Sequence, residues 1–175
     1  MRQSLKQARG NSSGNAAILF AVSLPVLVGF AGLGVESGEY IVSGGTLRIN
    51  SNSLVKGDGV TFFLTDGANL HMNGTATVDL SAPTSGTYSG ILFYGDRHSD
   101  GGDAILNGTA NSNLTGAVYF PREHVRMEGN FQGSGGCTRV VASTVEVRGN
   151  PSFSTECTAP GLSSPLVPGA VRLVE

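Results

Sequence analysis

Three stretches of this chain carry nearly the same local pattern: Gly45-Thr46-Leu47-Arg48-Ile49-Asn50, Ala68-Asn69-Leu70-His71-Met72-Asn73-Gly74 and Ser143-Thr144-Val145-Glu146-Val147-Arg148-Gly149-Asn150. Each reads apolar, polar, apolar, then a small or amide residue. In a strand, successive side chains point to opposite faces, so each stretch has one apolar face that it cannot bury alone. Stacking such rungs in parallel puts the inward Leu, Ile, Met and Val in one column and leaves Arg48, His71, Glu146 and Arg148 toward water.

Further short alternations surround these three. They run over residues 40–42, 60–64, 78–80, 91–94, 104–106, 117–120, 125–127 and 140–142, each bounded by Gly, Asn, Ser, Thr or Asp. They fall into pairs, a second strand following the first after about six residues, with a pair recurring every twenty to thirty residues or so, a repeat in the solenoid range. The composition agrees: Gly is 26 of 175 residues and only 14% are charged, a profile of tight turns between short strands. An antiparallel sandwich would also use such turn spacing. The repeated rung favours a mainly β fold, a parallel β-helix. Asn50, Asn73, Asn107, Asn130 and Asn150 stand at the expected corners, where the amide side chain bonds nearby backbone.

The N-terminus is of another kind. Arg2, Lys6 and Arg9 precede an uncharged run from Ala16 to Val35 that contains Pro25, and no acidic residue occurs before Glu36. At about 1.5 Å rise per residue, such a helix covers roughly the 30 Å hydrocarbon core of a bilayer. Basic residues before the run keep the N-terminus in the cytoplasm. The expected organisation is a basic leader at 1–15, a transmembrane helix at 16–35, a periplasmic β-solenoid at 36–159 and a C-terminal tail or cap at 160–175. A cleaved signal peptide is the alternative, with Gly29 and Ala31 as small residues near its end. Either reading exports the rest of the chain.

In an exported chain, Cys137 and Cys157 are expected to form a disulfide, about one coil apart. Neither has a CxxC partner or a neighbouring His, as a metal site would require. The Pro-rich segment 160–168 and the apolar Val171 to Val174 are expected to cover the end of the solenoid. The exported part has eight Lys or Arg against thirteen Asp or Glu and no basic cluster, which argues against nucleic acid as a partner.

The densest polar cluster is Asp96-Arg97-His98-Ser99-Asp100-Gly101-Gly102-Asp103. It could supply an acid and base pair for glycoside cleavage or oxygen ligands for calcium. It lacks ordered ligand spacing, and its glycines suit a solvated loop. The chain has no Gly-x-Ser-x-Gly elbow, no His-Glu-x-x-His and no phosphate loop. The expectation is a protein that is not an enzyme, with no cofactor, no metal and no small-molecule substrate.

At the leader, Arg9-Gly10, Gly14-Asn15-Ala16-Ala17-Ile18-Leu19-Phe20-Ala21, Leu24-Pro25-Val26-Leu27 and Gly32-Leu33-Gly34-Val35-Glu36 resemble the N-terminal segment of TadG-like proteins of the Flp (tight-adherence) pilus assembly system. Three later stretches, Gly90-Ile91-Leu92-Phe93, Leu114 to Pro121 and Val171 to Glu175, look like the C-terminal region of longer relatives. The resemblance implies a bacterial inner-membrane protein with one N-terminal anchor, matched here at Glu36, and a periplasmic remainder. It also implies the membrane and other pilus assembly proteins as partners. Longer relatives carry a further segment, including an Ala-rich helix, between anchor and β region, whereas here Glu36 passes almost at once to Tyr40. Two other expectations stand beside this one: a binding module for a polysaccharide or a protein, marked by exposed Thr, Asn and Ser on one column, and a small carbohydrate-active enzyme.

Overall fold

The computed structural model describes residues 33–50, 53–73, 75–98, 102–108, 112–129 and 137–150, together with two short strands, β1 (Ala17–Ile18) and β2 (Leu27–Val28). Everything between these strands pairs in parallel, and the chain winds as a β-solenoid of about four turns.

Each turn has three faces. β4 (Gly38–Ser43), β7 (Val60–Thr65) and β10 (Ile91–Gly95) stack on the first face. β5 (Thr46–Ile49), β8 (Asn69–Met72) and β11 (Asp103–Gly108) form the second. β3 (Leu33–Val35), β6 (Leu54–Gly57) and β9 (Thr77–Ser81) form the third. The long β12 (Asn113–Gly129) then runs through all three faces in one continuous strand, and β13 (Thr138–Gly149) follows its path over the first two. The expected pairs of strands are the first and second faces. On the third face only the alternation at 78–80, now within β9, is expected from the sequence; Leu54-Val55-Lys56-Gly57 and Leu33-Gly34-Val35 are short and carry glycine, which weakens a strand pattern.

The repeated rungs stack as expected. Leu47, Leu70, Ala104 and Val125 lie in one inward column of the second face, and Ile49, Met72, Leu106 and Met127 in the next, all buried. On the first face, Tyr40, Phe62 and Phe93 stack inside the coil with ring centroids 5.4 and 5.5 Å apart. Val55, Val78, Leu80 and Leu114 close the third side. The corners are held by local bonds: Asn73 donates to the Asn50 side chain at 3.4 Å, and Ser112 Oγ accepts from the Val78 amide at 3.2 Å while donating to the Ala76 carbonyl. Where β12 turns from the third face to the first, Gly116 has φ +146°, and a Cβ there would lie 2.7 Å from Ala82 Cβ and 2.8 Å from Leu92 Cβ. Only glycine passes that bend.

The expected boundary at residue 36 is corrected. Leu33–Val35, the last residues of the run assigned to the membrane, form β3 and pair with Leu54–Gly57. Val35 packs against the core, a Cβ at Gly57 lying only 3.0 Å from its own Cβ, so it is a solenoid residue and not an anchor residue. Gly34 is a poor helix former and β-branched Val35 suits a strand, so the neighbouring rung decides the conformation. Within 16–35, β1 pairs with Glu39–Tyr40 and β2 with Arg48–Ile49. Ala16 and Pro25 lie outside the described residues. Among the described residues no helix is long and apolar enough to cross a membrane.

Candidate functional site

Period two in strands β7, β10 and β12 places one member of each aromatic pair inside and the other outside. Phe62, Phe93 and Phe120 are buried, while Phe63, Tyr94 and Tyr119 are partly exposed. In register, Ile41, Phe63, Tyr94, Tyr119 and Val141 form an outward column over five rungs of the first face. With rungs about 4.8 Å apart, the column is roughly 20 Å long. Tyr94 and Tyr119 stack at 5.3 Å and 22°, and Phe63 lies 5.6 Å from Tyr94. Tyr88 meets Phe63 edge-on at 4.6 Å. Arg97 caps the other side, its Cζ 5.4 Å from the Tyr119 centroid, a cation–π contact. Val141, at the end of the column, is 47% exposed.

Two excursions frame this face. One rung apart, β7 and β10 are separated by about thirty residues rather than the twenty-two that separate β4 and β7, because residues 82–90 leave the coil before β10. That excursion supplies Tyr88 and closes by Gly90 donating to the Pro83 carbonyl at 2.7 Å. Between it and the start of β4 lies an open cleft of about 490 Å³, bordered by Ser37, Glu39, Thr84, Ser85 and Thr87. The second excursion is the polar cluster after β10. Asp96 turns back on itself, accepting from the His98 amide at 2.9 Å, and these bonds hold its carboxyl below the usual range. Ser99, Asp100 and Gly101 lie outside the described residues.

Asp103, from the same cluster, is brought beside a residue that the sequence reading passed over. Glu123 is 2% exposed, its carboxyl wedged where a Cβ at Gly95 would lie 3.1 Å from Oε1 and one at Gly102 3.8 Å from Cδ. Oε2 has no hydrogen-bond partner. Burial, and then the charge of Asp103, push the Glu123 carboxyl up to about 7. The signal was faint: in Pro121-Arg122-Glu123-His124 a bulge shifts the pairing between Phe120 and His124, so period two does not say which side chain turns in. A general acid has to touch its substrate, and Glu123 is closed off. Among the described residues no group of three or more His, Cys, Asp or Glu is placed to hold a metal ion. Cys137 is buried at the start of β13, and Cys157 lies outside the described residues.

The outward face of the second column is ionic. Glu146 accepts from Arg148 at 2.7 Å and from Arg126 at 3.2 Å, with His124 Nε2 at 3.4 Å. These partners, Arg148 first, hold its carboxyl below the usual range. His71 is partly buried, and burial followed by the charge of Arg48 lowers its pKa. A column of exposed Thr, Asn and Ser, the feature that would favour a binding module, is therefore not the distinctive surface. The aromatic column is, and its signal was legible in the adjacent pairs Phe62-Phe63, Phe93-Tyr94 and Tyr119-Phe120.

Comparison with protein families matched residues 31–158 to a family model described as a domain of unknown function (DUF7305). Neither the curated proteins nor the solved structures returned a match.

Proposed function

We propose that this chain, which belongs to the DUF7305 domain family, is a membrane-anchored, extracytoplasmic structural component related to tight-adherence pilus assembly, and that it docks a protein partner on its aromatic column. The column of Phe63, Tyr94 and Tyr119 with Arg97 carries the reading. Tyr, Phe and Arg are the residues that dominate the buried centres of protein interfaces. Because Tyr94 and Tyr119 stack on each other and Arg97 lies over Tyr119, those faces are already used, and a partner meets ring edges and the exposed Val141. That geometry suits side chains better than sugar rings, which need an open aromatic face.

The leader supports the location. Its basic flank and the uncharged run from Ala16 to Val35 suit insertion of a spanning segment into a membrane. The two short strands β1 and β2 would then be given up. Export also suits a Cys137–Cys157 bridge, because an oxidising compartment lets such a pair persist. Closing that loop would stabilise by about 3 kcal/mol. A carbohydrate partner is a second reading, favoured by the hydroxyl-lined cleft beside Tyr88.

The test is a triple substitution, Phe63→Ser, Tyr94→Ser and Tyr119→Ser, in the host bacterium, with a photo-crosslinker at position 141 in a parallel strain. The reading expects normal amounts in the membrane fraction, lost surface adherence and a crosslink to a pilus assembly protein. Adherence at the normal level with no crosslink would overturn it. Retardation in a polysaccharide gel that Tyr88→Ala or Thr84→Ala abolishes would move the assignment to the cleft.

A further inference from the structure

On the outward side of the second face, register brings a hydroxyl, an imidazole and a carboxylate into line. His124 of β12 stands directly beside Thr144 of β13, with Asp103 of β11 on its other side. Glu146 is two positions beyond Thr144 and so points to the same side of β13. His124 Nδ1 lies 2.6 Å from Thr144 Oγ1, and its Nε2 lies 3.4 Å from Glu146 Oε2. Glu146 decides where the hydrogens are. Arg148 at 2.7 Å and Arg126 at 3.2 Å keep its carboxylate ionised, so it only accepts hydrogen bonds. Neutral His124 therefore carries its hydrogen on Nε2 and its lone pair on Nδ1, and the Thr144 hydroxyl donates to that lone pair. A hydroxyl bonded to an imidazole that a carboxylate orients is the arrangement of an activated nucleophile.

There is room for a substrate beside it. An open hollow of about 620 Å³ is bordered by His71, Asp103, Arg122, His124 and Thr144. Arg122 reaches it because the bulge between Phe120 and His124 sets Pro121, Arg122 and Glu123 against Ser143 alone on β13. Arg122 forms no ion pair among the described residues, whereas Arg126 and Arg148 both bind Glu146, so its charge is free to meet an oxygen atom in the hollow.

We propose that Thr144, His124 and Glu146 form an acyl-transfer site that hydrolyses short esters of polar alcohols, with Thr144 as nucleophile, His124 as general base and Glu146 as positioning residue. Thr144 Oγ1 attacks the ester carbonyl carbon while its proton passes to His124 Nδ1, and the carbonyl oxygen takes up the negative charge beside Arg122. The adduct collapses by breaking the bond to the alkoxy oxygen, which takes the proton from Nδ1 and leaves as the alcohol. Water then attacks the acylated Thr144, giving a proton to Nδ1, and release of the carboxylic acid returns that proton to Oγ1. Glu146 stabilises the imidazolium formed between these transfers. The acyl group is short because no apolar side chain borders the hollow, and the alcohol is polar because its lining is. This site is on the second face and does not depend on docking at the aromatic column.

The test is hydrolysis of p-nitrophenyl acetate by the full-length chain in detergent, with peptide mapping of the acetylated intermediate. Turnover roughly a hundredfold above free imidazole at the same concentration is expected, with the acetyl group on Thr144. Thr144→Val and His124→Gln should each lower kcat by about a hundredfold, and Thr144→Ser should retain it. Glu146→Gln should lower kcat by about tenfold with KM unchanged, the mark of a group that acts through His124. Thr46→Val, on the same face where the neighbour is Asn69 and not a histidine, should change nothing. Matched thermal denaturation of the variants separates lost chemistry from lost folding. Turnover no faster than free imidazole would overturn the proposal. So would turnover that survives Thr144→Val but not His124→Gln, because the imidazole would then be attacking the ester by itself.

Discussion

Val125 and Val145 occupy the same position of the same face one rung apart, and one is fully buried while the other is half exposed. Their local sequences, Val125-Arg126-Met127 and Val145-Glu146-Val147, are nearly interchangeable. What separates them is the next rung. In a solenoid each turn contacts only its neighbours, so burial is a property of place in the stack and not of the strand.

The sharpest way to break that comparison is to truncate equivalent side chains in both rungs. Met127→Ala should cost about 3 kcal/mol in chemical denaturation, since a fully buried side chain leaves a cavity behind. Val147→Ala should cost less than about 1 kcal/mol if the last rung is bare. A cost for Val147→Ala close to that of Met127→Ala would mean that the end is covered and the two rungs are equivalent.

A somewhat smaller effect is expected at the corner between the first two faces. Gly95→Ala should destabilise by roughly 2 kcal/mol, because the new methyl group would lie 2.3 Å from Phe120 Cδ1 and crowd the Glu123 carboxyl. Thermal denaturation would show it, and a change within experimental error would mean that Phe120 has room to move. Ser43→Ala, which removes a surface bond to Asp66, should by contrast change stability by less than about 1 kcal/mol in the same assay.

Glu123 sharpens the contrast between interior and end through pH. Its folded-state pKa is raised, so the folded chain holds a proton there that the unfolded chain releases. Its contribution is therefore fully present below the unfolded value near 4.5 and is lost as pH rises through about 7. Between pH 5 and pH 8 the chain should lose on the order of 2 kcal/mol from this group. Glu123→Gln should remove that slope, gaining stability at pH 8 and little at pH 5; an unaltered pH profile in the variant would show that the carboxyl is not the titrating group. At Glu146, whose partners are on the surface, Glu146→Gln should shift the acid limb only slightly and lose that effect in high salt.

Much of the architecture was legible because the interior of a solenoid imposes one simple requirement. Leu47, Ile49, Leu70, Met72, Val125 and Met127 alternate with polar residues, and any sequence with that alternation must hide the apolar side. The parallel stacking followed from the likeness of the rungs, since like packs on like only in register. The third face was harder to read, because Leu54–Gly57 has a single strongly inward residue, Val55, and pattern arguments need at least two. The aromatic column was half legible: Phe63 beside Phe62 says that one ring points outward, but only the register of three strands says that the outward rings form a line.

By itself, then, the order of residues determined the strand type, the inward set and the charge asymmetry of the leader, since each depends on neighbours a few positions away. The tertiary structure alone decided that Leu33–Val35 belongs to the solenoid, that Glu123 turns inward beside Asp103, and that Val145 is exposed where Val125 is buried. Those three depend on residues 20 or more positions distant, brought within contact by a coil whose length varies, and no local pattern records that length.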